Sequence, residues 1–209
     1  MLAGEGRHFS AGADLNWMQR ASTASEDWNL ADARRFALML ARIESCPKPT
    51  VARVQGAALG GDRDVAGAGQ TDAAEGASFS VSEARFGILP AVIGPYLVNA
   101  VGRRQARRLA LTTTRIGTAE ALAIGLVQQV VVADTLDTAV DTVIAELLAG
   151  GPHAQREIKE LYARLEPGEV TPEVRELTAR TIARVRGSDE AREGFAAFLG
   201  KRPANWIPR

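Results

Sequence analysis

The strongest constraint on the fold is a change of pattern at Gly150-Gly151-Pro152. Before that break, short runs rich in β-branched and apolar residues alternate with amphipathic stretches. After it the pattern is helical to the end. Strands mixed with helices and then helices alone predict an α/β core over residues 1–150 and a helical region over 151–209. A chain of 209 residues has the length of one domain with an appendage. Its 46% hydrophobic content is that of a folded protein, so it can fill a core.

Within the core, Met1-Leu2-Ala3 reads as the last step of a buried strand, and Gly4-Glu5-Gly6 as a turn. A helix is predicted from Ser25, with Ala33, Phe36, Ala37, Leu40 and Ile43 on one face and Pro47 as its stop. Strands are predicted over 50–54, 77–81 and 126–132. Helices are predicted over 99–111, with Gly102 as a weak point, from Thr118 to Gly125, and after Asp134. In the C-terminal region, Thr171-Pro172-Glu173 supplies a cap, a proline at the first helical position and an acid in the first turn. Ser188 caps a last helix that Gly200 ends.

Charge and cysteine content exclude several function classes. The 25 Lys+Arg balance 25 Asp+Glu, which argues against an electrostatic grip on nucleic acid or an anionic membrane. Cys46 is the single cysteine, and His8 and His153 lack ligand spacing, so neither a disulfide nor a metal site is expected. No apolar run approaches the roughly 18 residues of a membrane span. The start lacks a basic-then-apolar signal. These features lead to the expectation of a cytoplasmic enzyme or binding protein.

Two loops of small residues can bring backbone close to a ligand: Ser10-Ala11-Gly12-Ala13-Asp14 and Leu59-Gly60-Gly61. Two inward N–H groups would stabilise a developing oxyanion, at roughly 3 kcal/mol per donor. Tight turns alone would explain either loop. Neither has the Gly-Lys-Ser/Thr or strand-led GxGxxG pattern of a phosphate loop. Among nearby acids, Glu83 lies between the apolar flanks of Phe79-Ser80-Val81-Ser82-Glu83-Ala84-Arg85-Phe86, where desolvation would fit a carboxylate for acid–base work. Arg103, Arg104, Arg107 and Arg108 read as a solvated helix face.

Together, Arg7-His8-Phe9-Ser10-Ala11-Gly12-Ala13-Asp14-Leu15, Gly56-Ala57-Ala58-Leu59-Gly60-Gly61 and the stretch 79–90 resemble the enoyl-CoA hydratase/isomerase (crotonase) superfamily in order and spacing. The likeness extends to Phe198-Leu199-Gly200-Lys201-Arg202. Ala13-Asp14-Leu15-Asn16-Trp17-Met18 and Ser82-Glu83-Ala84-Arg85-Phe86-Gly87 look most like the methylglutaconyl-CoA-type hydratases of leucine breakdown. The resemblance implies an α/β fold of stacked ββα turns in a superhelix, with a helical C-terminal region that trimerises. It implies an acyl-CoA thioester substrate, no cofactor beyond that coenzyme A, and a homotrimer or dimer of trimers. By the same resemblance Ala13 and Gly61 supply the oxyanion donors and Glu83 the proton-handling carboxylate. Arg7 and Ala11 approach the CoA, and Phe198 and Lys201 complete a neighbouring subunit's CoA site. Hydration of a 2-enoyl-CoA is the expected activity. Δ3-Δ2-enoyl-CoA isomerisation and a truncated, inactive binding protein are the alternatives.

Two departures from the family pattern stand out. The opening strands and first helix of the family are absent, which leads to the expectation of an exposed sheet edge and an incomplete CoA site. The window 62–73 fits poorly between well-matching flanks. In the family it is an apolar buried helix, whereas here it carries Asp62, Arg63, Asp64, Gly67 and Gly69. Each glycine costs a helix interior roughly 1 kcal/mol relative to alanine. Asp64 falls where many members place a second catalytic glutamate.

Overall fold

The computed structural model describes residues 1–60 and 69–208, which form two compact units. The first comprises Met1–Cys46 and Thr50–Asp141, the second Pro47–Pro49 and Thr142–Arg209.

The first unit is built from paired strands that alternate between two sheets. Strands β1 (Leu2–Ala3), β3 (Val51–Val54), β5 (Gln70–Ala74) and β8 (Gln129–Val131) lie in that order in one parallel sheet. Strands β2 (Ser10–Ala11), β4 (Ala57–Leu59) and β6 (Ser78–Ser80) run parallel in the other, which β7 (Ile116–Gly117) ends antiparallel. Each successive strand pair thus adds one strand to each sheet, the stacked arrangement of a crotonase-like α/β fold. Helices α1 (Leu15–Thr23) and α2 (Glu26–Glu44) follow the first pair. Helix α3 (Gly94–Thr112) follows the third, and α4 (Thr118–Ala123) stands between β7 and β8.

One core serves both sheets. Ala52, Val54 and Ala73 from the first sheet join Ala58, Phe79 and Ile116 from the second, with Leu40 of α2 and Leu97, Val101 and Leu109 of α3. Val51, Ala52 and Val54 are all buried, as expected of a strand covered on both faces. The corners between sheets are stitched by polar groups. Gln55 Nε2 donates to Gly4 O at 2.8 Å, Phe9 N to Gln55 O at 2.8 Å, and Ser78 N to Gly56 O at 2.9 Å. His8 Nδ1 accepts from Ala57 N at 3.1 Å, so this histidine has a structural task.

Several expectations need correction. The loop expected before Ser25 contains α1, which Asp14 opens by accepting from Trp17 N at 2.7 Å. Strand β1 is only partly covered, because it forms an edge. The helix expected over 99–111 begins at Gly94, while Gly102, the expected weak point, does break its regularity with φ 74°. The strand expected over 126–132 shrinks to Gln129–Val131; Leu126 and Val127 are buried but unpaired in the sheet. Gly117, not Thr118, stands at the cap of α4.

Helix α5 (Leu136–Ala149) leads into the second unit, where α6 (Pro152–Tyr162), α7 (Pro172–Arg186) and α8 (Asp189–Leu199) follow. Thr171 and Ser188 cap α7 and α8 by accepting from Val174 N and Ala191 N, as their sequence positions predict. The amides of His153 and Ala154, at the start of α6, each donate to Glu190 at 2.8 Å, a cap brought from a distant helix. Glu157 is buried and takes two 2.6 Å hydrogen bonds from Arg184. Among the described residues no helix is long and apolar enough to cross a membrane.

Candidate active site

Three parallel strands place the candidate residues side by side. Ala11 of β2 pairs with Leu59 of β4, and Leu59 pairs with Ser80 of β6. The chain leaves these three aligned positions into Gly12-Ala13, Gly60-Gly61 and Val81-Ser82-Glu83. Positions 48 and 21 residues apart in sequence thereby reach one end of one sheet. The carboxyl ends of parallel strands are where α/β folds bind ligands, because loops there are free to vary over a rigid base.

The first two loops run within van der Waals reach of each other, and backbone conformation rather than lack of room calls for their glycines. A Cβ on Gly60 would stand 3.5 Å from Gly12 Cα and 3.9 Å from Ala13 N. Gly12 and Gly60 have φ of 104° and 74°, the left-handed region that glycine enters without steric cost. Ser10 Oγ accepts from Gly12 N at 3.2 Å and shapes the turn. The Ala13 amide has no acceptor among the described residues, whereas Gly60 N donates to Ser80 O at 3.3 Å. Ala13 is thus the amide of these two that can serve a ligand oxygen. Gly61 and Asp64 lie outside the described residues.

Glu83 opens a short 3-10 turn, Glu83–Phe86, which Gly87 closes at φ 72°. Its Oε2 is buried and makes no hydrogen bond with the described residues. A carboxylate oxygen withdrawn from water and left unpaired is costly unless another group meets it. This placement suits an acid or base that exchanges a proton with a bound molecule. Phe86, Ile88 and Leu89 follow it with exposed apolar side chains.

The remaining candidates are distributed differently. Arg7 is exposed at the corner between β1 and β2, and Ala11 is exposed at the end of β2. Phe198 is 81% exposed on α8 of the second unit, and Lys201 is exposed just beyond it with φ 50°. A cavity of about 380 Å³ in the second unit includes Phe195, Phe198 and Trp206 in its lining. Arg103, Arg104 and Arg107 are exposed, while Arg108 pairs with Glu120 at 2.5 Å, in keeping with a solvated face.

The segment around Lys201 is tied down by charge. Arg202 donates to both carboxylate oxygens of Glu193, at 2.7 and 2.9 Å, and Asn205 N donates to one of them at 2.9 Å. The Arg202 hydrogen bonds lead in holding Glu193 down from 4.5 to about 2, and the Asn205 amide assists. Between those values the folded chain binds fewer protons at this group than the unfolded chain, so its contribution to stability rises with pH. Thermal melts of Glu193→Gln and the unsubstituted chain should therefore differ fully above about pH 5 and converge as pH falls from 4.5 toward about 2. A gap that does not change with pH would contradict this.

Comparison with known proteins gives a consistent picture. The sequence profile described as Enoyl-CoA hydratase/isomerase matches residues 1–209. A crotonyl-CoA hydratase of Syntrophomonas wolfei is 33% identical over 100% of this chain and 80% of its own length. A 1,2-epoxyphenylacetyl-CoA isomerase of Escherichia coli is 30% identical over 97% of this chain and 78% of its own. The crystal structure of an enoyl-CoA hydratase from Shewanella pealeana superposes with a TM-score of 0.92 at 39% identity, covering 97% of this chain and 76% of that one.

Proposed function

Because the chain belongs to the enoyl-CoA hydratase/isomerase family, we propose that it adds water across the double bond of a 2-enoyl-CoA. The observation that carries this reading is the alignment of three strand ends, with the Ala13 amide at one and, at another, the buried Glu83 Oε2, which has no hydrogen-bond partner among the described residues. In this reaction the thioester oxygen accepts from the amides of Ala13 and Gly61. Glu83 takes a proton from water as its oxygen bonds to C3, and negative charge moves onto the thioester oxygen as an enolate. A proton returned to C2 completes a 3-hydroxyacyl-CoA. Donors set in place beforehand help most at the enolate, where the charge is largest. Asp64 stands as a second carboxylate in this scheme.

Arg7 and Ala11 receive the CoA moiety, and Phe198 and Lys201 complete that site on a neighbouring subunit of a homotrimer or dimer of trimers. The exposure of Phe198 supports a role across a subunit boundary. The substrate supplies the only coenzyme, the protein works in the cytoplasm, and the methylglutaconyl-CoA type is the preferred substrate class, as in leucine degradation.

Isomerisation of a Δ3- to a Δ2-enoyl-CoA is the second reading. It is favoured by the isomerase among the relatives and by the sufficiency of one carboxylate, Glu83, for moving a proton. The test is loss of enoyl-thioester absorbance with a panel of 2-enoyl-CoAs including 3-methylglutaconyl-CoA, and its gain with matching 3-enoyl-CoAs, together with product analysis. A 3-hydroxyacyl-CoA supports hydration. Conversion only of 3-enoyl-CoAs supports isomerisation, and no turnover from a compact oligomer overturns both.

A further inference from the structure

One residue outside the three loops is bonded to both sides of the segment that carries Glu83. Thr113 terminates α3 and is buried, with its own amide donating to Leu109 O at 3.0 Å. Its Oγ1 accepts from Arg85 Nε at 2.8 Å, and Arg85 lies in the same 3-10 turn as Glu83. Its carbonyl accepts from Ser80 Oγ at 3.4 Å, and Ser80 ends β6 just before Glu83. The Ser80 carbonyl in turn holds Gly60 N, so the contact also reaches the neighbouring strand end.

The backbone at Thr113 is unusual. Its φ of 52° and ψ of 25° lie in the left-handed region, where a β-branched residue is an outlier. Glycine would occupy this position without steric cost. Threonine there brings a hydroxyl to Arg85, and that hydroxyl is oriented because it donates to Thr112 O at 2.7 Å. A strained residue whose side chain braces a neighbouring turn is the pattern found where surrounding structure maintains strain for a purpose.

We propose that Thr113 is a positioning residue, which through Arg85 and Ser80 holds the Glu83 turn at the strand ends. The proposal rests on the reading of Glu83 as the proton-handling group. Thr113 touches no reacting atom, so its loss should appear in turnover rather than in substrate affinity.

The test compares steady-state kinetics of Thr113→Val, Thr113→Ser, Arg85→Met and the Thr113→Val/Arg85→Met double variant, with Glu83→Gln alongside. Valine keeps the branched shape and removes the hydroxyl, whereas serine keeps the hydroxyl. Because a misplacement of about 1 Å can cost 10²-fold, Thr113→Val and Arg85→Met should each lower kcat by roughly tenfold to a hundredfold with KM within about twofold. The double variant should lose no more than either single one, since both break the same bond. Thr113→Ser should return kcat to within about twofold of the unsubstituted value. Arg85→Met changes a surface side chain, so it reports even where Thr113→Val fails to fold. Variants within about twofold of the unsubstituted chain, additive losses, or a serine variant as impaired as valine would each overturn the positioning role while leaving Glu83's role intact. Full turnover in Glu83→Gln, or none in the unsubstituted chain, overturns the catalytic reading and the positioning role together.

Discussion

Glu83→Gln lowers kcat by about 10²–10⁴-fold, the usual contribution of a general acid–base, and leaves KM within about threefold. The substitution preserves the size of the side chain and its place in the Glu83–Phe86 turn, but the amide cannot take a proton from water. The buried Oε2 has no hydrogen-bond partner among the described residues, so the change breaks no such bond of that atom and should not destabilise the fold. Proton transfer belongs to the transition state, so kcat and kcat/KM should fall together. Measured kinetics on the best 2-enoyl-CoA, with thermal melts as a control for folding, decide the matter. A variant whose whole loss lies in KM would place Glu83 in binding and not in chemistry.

Gly56→Ala should be strongly destabilising, because it combines a clash with a left-handed backbone in the first unit. A Cβ there would lie 2.2 Å from Arg7 O and 2.6 Å from His8 Nδ1, and the residue's φ of 59° already disfavours any L side chain. The left-handed conformation costs about 1–2 kcal/mol for alanine. Overlap with a backbone oxygen forces shifts that cost about 1–3 kcal/mol more. At roughly 2–4 °C per kcal/mol for a chain of this size, melting should fall by about 10 °C. The same methyl group pushes the corner before β2 away from β4 and should loosen the approach of Gly12-Ala13 to Gly60, lowering turnover as well. A variant that melts within about a degree of the unsubstituted chain would show that the corner yields easily.

Local chemistry made much of the chain legible. Ser25, Thr171 and Ser188 cap helices where their sequence context places them, because an N-cap needs only a short polar side chain and the amides of the next turn. Gly12, Gly60 and Gly87 sit at positive φ, in the loops that carry the family resemblance. Strands β2, β4 and β7 have two or three residues, too few for a period of two to register, and only sheet pairing defines them. Strand β5 places Thr71 and Asp72 fully out of water, which no reading of Gln70-Thr71-Asp72 by polarity would predict. Asp14 closes the first small-residue loop, and its position before Leu15-Asn16-Trp17 is also a capping signal for α1.

The sequence by itself determined the family, the α/β-then-helical order and the three loops, because glycines, caps and apolar patterns act within a few residues of where they stand. The tertiary structure decided that Gly60 N is taken by Ser80 O while Ala13 N meets no acceptor among the described residues. It also decided that Glu83 turns one oxygen out of water, that His8 serves Ala57, and that Glu157 is buried against Arg184. These are relations between residues tens of positions apart. Strand register and helix packing set them, and no local propensity encodes which partner a distant strand or helix will bring.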